Sequence, residues 1–378
     1  MIKKKQMVSI EQQLLATATN IDPDENELQK IRHLVSMGID ADALINLALQ
    51  EGLAGFLYRN LRKADALDAV GLAQSTELQT LYYICVRFNL KLVHDLKQIL
   101  HRLNPSKCRV VLMQGIALLA RLYSDFGLRP LSDIDLWVLP GERSALVNAL
   151  ISLGYRNDRI YPNTFKRGST IVDIHTHIFW AERIKARGHL IKGDQMDIFH
   201  NSRLIDFEGE KVRCLGTRDH VLYLSLHLLK HNVERLIWLA DIKNLVKEWN
   251  CPEWEALIAR AENLGIKGSV FYLSYLLRDL LDFKTPAEAQ RILQKGKPNF
   301  LENMILKRRK TKKAISTWGQ LFLLTSGQKF KKRLSFFIET MFPRPQILRQ
   351  VFARTPDLKV WQLYWRRSLQ ILGLFKSL

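Results

Sequence analysis

The sequence has little cysteine, no long apolar run and too little acid to balance its base. Its 378 residues hold four cysteines, Cys85, Cys108, Cys214 and Cys251, far apart and without a C-x-x-C pair. A disulfide framework and a zinc knuckle are therefore disfavoured, and reduced, buried thiols are expected. No apolar run reaches the ~18 residues that a membrane span needs. The opening MIKKKQMVSIEQQLL is basic but has no apolar segment behind it, so it does not read as a secretory signal. The expected location is the cytoplasm. No repeat or low-complexity tract is evident, and 47% hydrophobic with 25% charged residues excludes a wholly disordered chain.

Acid is the clearest deficit. Asp and Glu number 37 against 57 Lys and Arg, a net charge of +20. The excess sits mostly in residues 301–378, where 17 Lys and Arg face 3 Asp and Glu for a net +14. Anionic partners are favoured: nucleotides, nucleic acid, a membrane surface or an acidic protein.

What is present divides the chain into four parts. Residues 1–105 read as a helical region. Its strongest segment is 76–103, where Leu78, Leu81, Cys85, Phe88, Leu92 and Leu96 recur at three and four. Residues 106–215 read as a small α/β core. Strands are expected at 108–113, 132–139, 164–167, 170–178, 203–207 and 211–215. Helices are expected over 116–126 and 142–153, and Gln114-Gly115 reads as a turn. Residues 216–300 are helical again, with helices over 218–248 (Thr217 as N-cap), 253–263 and 268–282. Residues 301–378 form a basic helical region. Trp137 and Tyr123 fall on apolar positions and are expected in the core.

The chemistry concentrates on carboxylates. Asp133 and Asp135 stand at i and i+2 of a strand, so both point to one side. Carboxylates that close repel unless a hard divalent cation lies between them, and oxygen ligands suit Mg²⁺. Alone, D-x-D reads first as two solvated aspartates, since the tripeptide is common. Here Asp173 follows in another apolar run, and upstream a strand ends at Gln114-Gly115 where a helix begins. A helix N-terminus after a glycine turn suits phosphate oxygens.

This ordered set resembles the DNA polymerase beta-like nucleotidyltransferase superfamily. More narrowly, it is similar to an uncharacterised bacterial nucleotidyltransferase family with a strand ending in Lys-Gly, then R-x-x-x-D-I-D-L, then V-D-L-H. The matching stretches are Val111-Leu-Met-Gln-Gly115, Arg129-Pro-Leu-Ser-Asp-Ile-Asp-Leu136 and Val172-Asp-Ile-His175. Flanking segments at Tyr58–Leu61, Arg87–Asn89 and the stretch from His227 to Asp241 resemble it too, so the likeness covers roughly residues 30–280. The resemblance implies an α+β fold: a small nucleotidyltransferase core of mixed sheet and helices, flanked by helical N- and C-terminal regions. It also implies that Asp133, Asp135 and Asp173 are catalytic and hold two Mg²⁺ ions, with a nucleoside triphosphate as substrate. Attack of an acceptor hydroxyl at the α-phosphorus would expel pyrophosphate. Asp173 would accept the hydroxyl proton.

One departure stands out. The family's Lys is Gln114 here, which offers a triphosphate no positive charge. Phosphate binding would then fall to Arg121, Arg129 or other basic residues, with Gly115 allowing close backbone approach. Gln114, Gly115, Arg129, His175, His231 and Asp241 are the candidate nucleotide-binding residues. His175 and His177 share a strand face with Asp173 in the expected layout, so D-x-H-x-H reads either as support for the carboxylate or as a metal string; three ligands on one strand rarely close a tetrahedral site. His227, His231, Glu234, Trp238 and Asp241 would form one polar stripe on a single helix, lining the cleft or carrying an internal network.

The basic blocks 307–313 and 329–333, interleaved with Trp318, Phe322, Phe330, Phe336 and Phe337, suit peripheral membrane contact, an acidic partner or a solvated face. Nucleic acid fits the charge but is not favoured, since a core of this size leaves no evident grip for a duplex. The expected activity is Mg²⁺-dependent nucleotidyl transfer to a hydroxyl of a small molecule, glycan precursor or protein. The alternative is a catalytically weak nucleotide-binding or interaction module whose basic tail docks on a membrane or acidic partner.

Overall fold

Three short helices with side-chain caps open the N-terminal region, and one long helix ends it. In the computed structural model, residues 9–106, 108–192, 194–294, 300–310, 317–326, 328–355 and 357–373 are described. Five helices come first: α1 (Ile10–Thr17), α2 (Glu25–Ser36), α3 (Ala41–Glu51), α4 (Ala54–Lys63) and α5 (Leu72–Leu103). Ser9 and Asp24 close capping boxes with Gln12 and Glu27, and Asp40 caps the Ala43 N–H. Each satisfies helix N–H groups that the chain itself cannot. α5 starts earlier than its apolar spacing suggests, because exposed Leu72 is carried on a solvent-facing first turn.

The sheet follows, with β1 (Val110–Leu112), α6 (Gln114–Arg121), β2 (Ile134–Val138), α7 (Arg143–Ser152), β3 (Arg156–Asn157), β4 (Thr164–Arg167), β5 (Thr170–His175), α8 (Gln195–His200), β6 (Arg203–Phe207) and β7 (Glu210–Cys214). The strand order is β3-β4-β5-β2-β1-β7-β6. β2 runs parallel to β5 and antiparallel to β1, and β1 runs parallel to β7, so the sheet is mixed. All five residues of β2 are buried, as befits a central strand covered on both faces, although its sequence alternates polar and apolar. Glu208 and Gly209 both have positive φ, the backbone that a two-residue hairpin turn requires.

Helices close the molecule: α9 (Thr217–Lys230), α10 (Ile237–Val246), α11 (Cys251–Asn263), α12 (Lys267–Leu281), α13 (Ala287–Gln294), α14 (Phe300–Lys310), α15 (Thr317–Leu324), α16 (Phe330–Met341), α17 (Pro345–Val351) and α18 (Val360–Ile371). The result is an α+β fold with a mixed sheet between N- and C-terminal helical regions. One continuous apolar core runs from Leu14 to Phe336 and includes fully buried Trp137 and Tyr123. No helix among the described residues is long and apolar enough to cross a membrane. The four cysteines are free, and burial pushes the Cys85 and Cys214 thiols up to about 12.

Several expectations are corrected. Gln114-Gly115 is not a turn but the first residues of α6, which stops at Arg121, short of the expected 126. β5 ends at His175, so His177 lies beyond the strand and does not share its face. The single helix expected over 218–248 is broken: Asn232 and Val233 have φ of +57 and +53, and the Val233 N–H closes on Leu228 O at 3.0 Å. Gly216 rather than Thr217 caps α9, and Asp219 pairs with Arg260 at 2.9 Å. In the basic block 307–313, Arg309 is buried and pairs with Glu51 at 2.8 Å; residues 311–316 lie outside the described residues, as does the side chain of Trp318.

Candidate active site

Two parallel central strands bring the carboxylates together. Asp135 on β2 and Asp173 on β5 are register partners, and Asp133 immediately precedes β2. One oxygen each of Asp133, Asp135 and Asp173 lies within 4.8 Å of the others, the one such acid, His or Cys group among the described residues. Alternation along a strand puts i and i+2 on one side, and the parallel register adds the third acid.

Each carboxylate is held by a neighbour. Gln114 Nε2 donates to Asp135 Oδ1 at 2.7 Å. His175 Nε2 lies 2.8 Å from the same oxygen, and its Nδ1 lies 3.6 Å from Glu182 Oε1. Ser132 Oγ donates to Asp133 Oδ1 at 2.9 Å, and the Thr164 hydroxyl donates to Asp173. Burial, then repulsion from Asp135, pushes the Asp133 carboxyl up to about 7. Burial likewise raises Asp173 despite its bond from Thr164. For His175 burial pulls downward, but its contacts with Asp135 and Glu182 prevail and carry it to about 9. The imidazolium thus bridges two carboxylates. Three clustered hard oxygen donors, two of them reluctant to ionise without a counter-charge, fit a divalent cation such as Mg²⁺.

The acids line one wall of a cavity of about 930 Å³. Lys166, Arg183, Lys230, His231 and Glu182 also border it, and Ile347 and Gln350 of α17 close another side. Lys230 Nζ sits 3.7 Å from the centre of the Trp180 ring. Burial, together with Arg187 and Arg183, drives its ammonium well below the usual lysine range. Burial and Lys230 also hold His231 down to about 3, so its imidazole is neutral.

Of the sequence candidates, the structure brings Asp133, Asp135, Asp173, Gln114, His175 and His231 to this cavity and leaves three elsewhere. Arg129 and Asp241 pair with each other at 3.1 Å in the interior, where Tyr123 Oη also donates to Asp241 at 2.6 Å. Burial opposes the Arg129 charge, but Asp241 outweighs it and raises the guanidinium. Gly115 is buried, and a Cβ there would meet Arg129 Nη1 and Leu131 Cδ2 at 2.4 Å. Its missing side chain makes room for that ion pair. Arg121 donates to Leu215 O at 2.6 Å, tying α6 to the end of the sheet. The polar stripe is divided by the break after α9: the His227 and His231 rings lie 4.5 Å apart, tilted by 46°, while Asp241 turns inward on α10.

Thr164, Glu182, Arg183 and Lys230 escaped the sequence reading. Lys230 adjoins His231, a signal within reach; Glu182 and Arg183 lie in a loop with no periodicity to mark them. The contribution of α17 had no signal at all.

The mixed sheet thus sets three clustered acids at its central parallel strands, beside a cavity edged by cationic side chains. A family model described as uncharacterised nucleotidyltransferase matches residues 37–282, and the chain belongs to that family. No curated protein matches. Two solved structures of ANT(2'')-Ia are similar at 17% identity. The crystal structure in complex with adenylyl-2''-tobramycin covers 45% of this chain and 96% of that one, with a TM-score of 0.34. A solution structure covers 47% and 92%, with a TM-score of 0.32.

Proposed function

We propose that the protein is a Mg²⁺-dependent nucleotidyltransferase that moves a nucleoside monophosphate from a triphosphate to an acceptor hydroxyl. The observation that carries this reading is the convergence of Asp133, Asp135 and Asp173 in a large cavity edged by Lys230 and Arg183. Asp133 and Asp135 would hold the ion that accompanies the triphosphate, and with Asp173 a second one. Bound there, the ions would neutralise charge on the attacking and leaving oxygens of an in-line displacement.

The residues of the chain supply the rest. Gln114 and the His175 imidazolium both engage Asp135 Oδ1, which orients that carboxylate. Lys230 and Arg183 suit the negative charge of the phosphates, the role that Arg121 and Arg129 are not placed to fill. Asp173, beside the other two acids, suits acceptance of the hydroxyl proton. The acceptor oxygen bonds to the α-phosphorus, the bond to the β-phosphate oxygen breaks, and pyrophosphate departs.

The test is thermal stability with each of the four nucleoside triphosphates, with and without Mg²⁺, followed by labelled-nucleotide transfer. A ligand specific for the folded state adds about 2.7 kcal/mol at a hundredfold excess over its dissociation constant. A Mg²⁺-dependent shift for one nucleotide, lost in Asp133→Asn/Asp135→Asn, supports the reading. Absence of any shift in the folded protein removes it.

A further inference from the structure

We propose that α16 and α18 form a surface that docks on an anionic lipid bilayer. On α16, Phe330, Leu334 and Ile338 recur every four residues and are 77%, 45% and 53% exposed, and Phe342 continues the stripe at 46%. On α18, Trp361, Trp365 and Leu372 are 66%, 62% and 71% exposed at helical spacing. Single exposed apolar residues are ordinary; two such stripes on helices joined at the end of one of them are not.

The C-terminal end of α16 and the residues after it are tied to α18. Arg367 Nε donates to Met341 O at 2.9 Å, and Tyr364 Oη donates to Pro343 O at 3.0 Å. They are also fixed to the rest of the molecule. Glu339 accepts from the backbone N–H groups of Lys185 and Ala186 at 2.8 and 2.7 Å, and Arg344 donates to Glu182 O at 2.9 Å.

Charge selects the occupant. Exposed Lys329, Lys331 and Lys332 flank the first stripe. Glu339 is the one acid of α16 and is spent on those backbone groups, while α18 has no acid. The surface is thus apolar and mainly cationic, with exposed Asp357 before α18 as its one nearby uncommitted acid in sequence, in a region of net charge +14. A second copy would bring like charge. Tryptophan and phenylalanine beside lysine suit the headgroup layer of an anionic membrane, where rings enter the acyl boundary and ammonium groups meet phosphates. No described helix spans a bilayer, so the protein would lie on it. α17, between these helices in the chain, lines the catalytic cavity and would bring it near the lipid surface.

The experiment needs no nucleotide, so its result is independent of the proposed activity. The full chain is sedimented with vesicles of phosphatidylcholine alone and of phosphatidylcholine mixed with phosphatidylglycerol, while tryptophan emission is recorded. Wild type should partition onto the mixed vesicles about tenfold or more better than onto neutral ones, with a blue shift. Trp361→Ser/Trp365→Ser and, separately, Phe330→Ser/Ile338→Ser should each cut that partition about tenfold at unchanged thermal midpoint, since the residues are exposed. Failure to bind mixed vesicles overturns the proposal. So does equal binding by wild type and both variants, which would show charge acting without the apolar stripes. A dimer that these variants dissociate, or tight binding to polyglutamate without vesicle binding, would assign the surface to another occupant and equally overturn it.

Discussion

Gln114 Nε2 donates to Asp135 Oδ1 at 2.7 Å, across the gap between the first turn of α6 and the central strand. The residue that takes the place of the family's lysine thus engages a carboxylate of the acidic cluster. Its φ of +49 is uncommon for a side chain with a Cβ, and the bond to Asp135 gives that backbone a use. Gln114→Ala should weaken Mg²⁺-nucleotide binding about tenfold, the loss of one hydrogen bond to a charged group. Its thermal midpoint should hardly move. Calorimetric titration checks this, and unchanged affinity would remove the orienting role.

Asp133 should cost the metal-free protein stability. Its carboxyl is raised to about 7, so the folded state holds the proton more tightly than the unfolded chain. The associated stability is full below the ordinary carboxylate pKa and is lost as pH rises through about 7. Asp133→Asn should therefore raise stability of the metal-free protein by about 1–3 kcal/mol at pH 8 and change it little at pH 4. Denaturant melts in chelator at the two pH values measure the difference, while the variant loses its Mg²⁺-nucleotide shift.

Arg129 and Asp241 answer to a different readout. Arg129→Ala leaves a buried carboxylate unpaired and should cost about 3–5 kcal/mol. Nucleotide affinity of the protein that remains folded should be unchanged. A loss of affinity at unaltered stability would return Arg129 to the nucleotide site.

His220 sets an acid limit. It is fully buried, both ring nitrogens lack a hydrogen-bond partner, and burial followed by Arg121 pulls it down to about 3. A depressed histidine favours the folded state above its ordinary pKa; this advantage falls away as pH drops from 6.5 toward 3. His220→Leu should flatten that limb of the pH–stability curve relative to wild type, by about 3–5 kcal/mol at its foot. Equal slopes in urea melts between pH 7 and pH 4 would show that His220 charges freely in the fold.

Lys230→Met keeps a flexible side chain against Trp180 but removes the charge. Triphosphate affinity should fall about tenfold or more, and nucleoside monophosphate affinity less. Because burial lowers the free ammonium from its usual range, triphosphate binding should raise it again, so binding takes up a proton at the pH where Lys230 titrates in wild type and not in the variant. Calorimetry in two buffers of different ionisation enthalpy separates the cases.

Legibility followed the range of the interaction. The triad was readable because strand alternation gives Asp133 and Asp135 a common side, and Ile171-Val-Asp-Ile-His marks another buried strand. The β6–β7 hairpin was readable because Glu208-Gly209 supplies the turn. The break after α9 was not: the apolar spacing runs on through Leu236 and Leu239, and only packing turns Asn232 and Val233 into the left-handed region. Arg129 and Asp241, both polar in apolar surroundings, looked like ligands for something outside the chain. They are ligands for each other, 112 positions apart.

The sequence by itself determined the three carboxylates and the order of the main strands and helices, though not β3, α8 or the division between α9 and α10, because these rest on periodicity, turn chemistry and a motif read within a few residues. The tertiary structure alone decided which cations reach the cavity, which polar groups are spent inside, and that α17 closes one wall. Those outcomes depend on which distant side chains compete for one buried charge, and burial makes pairing obligatory without naming the partner in advance.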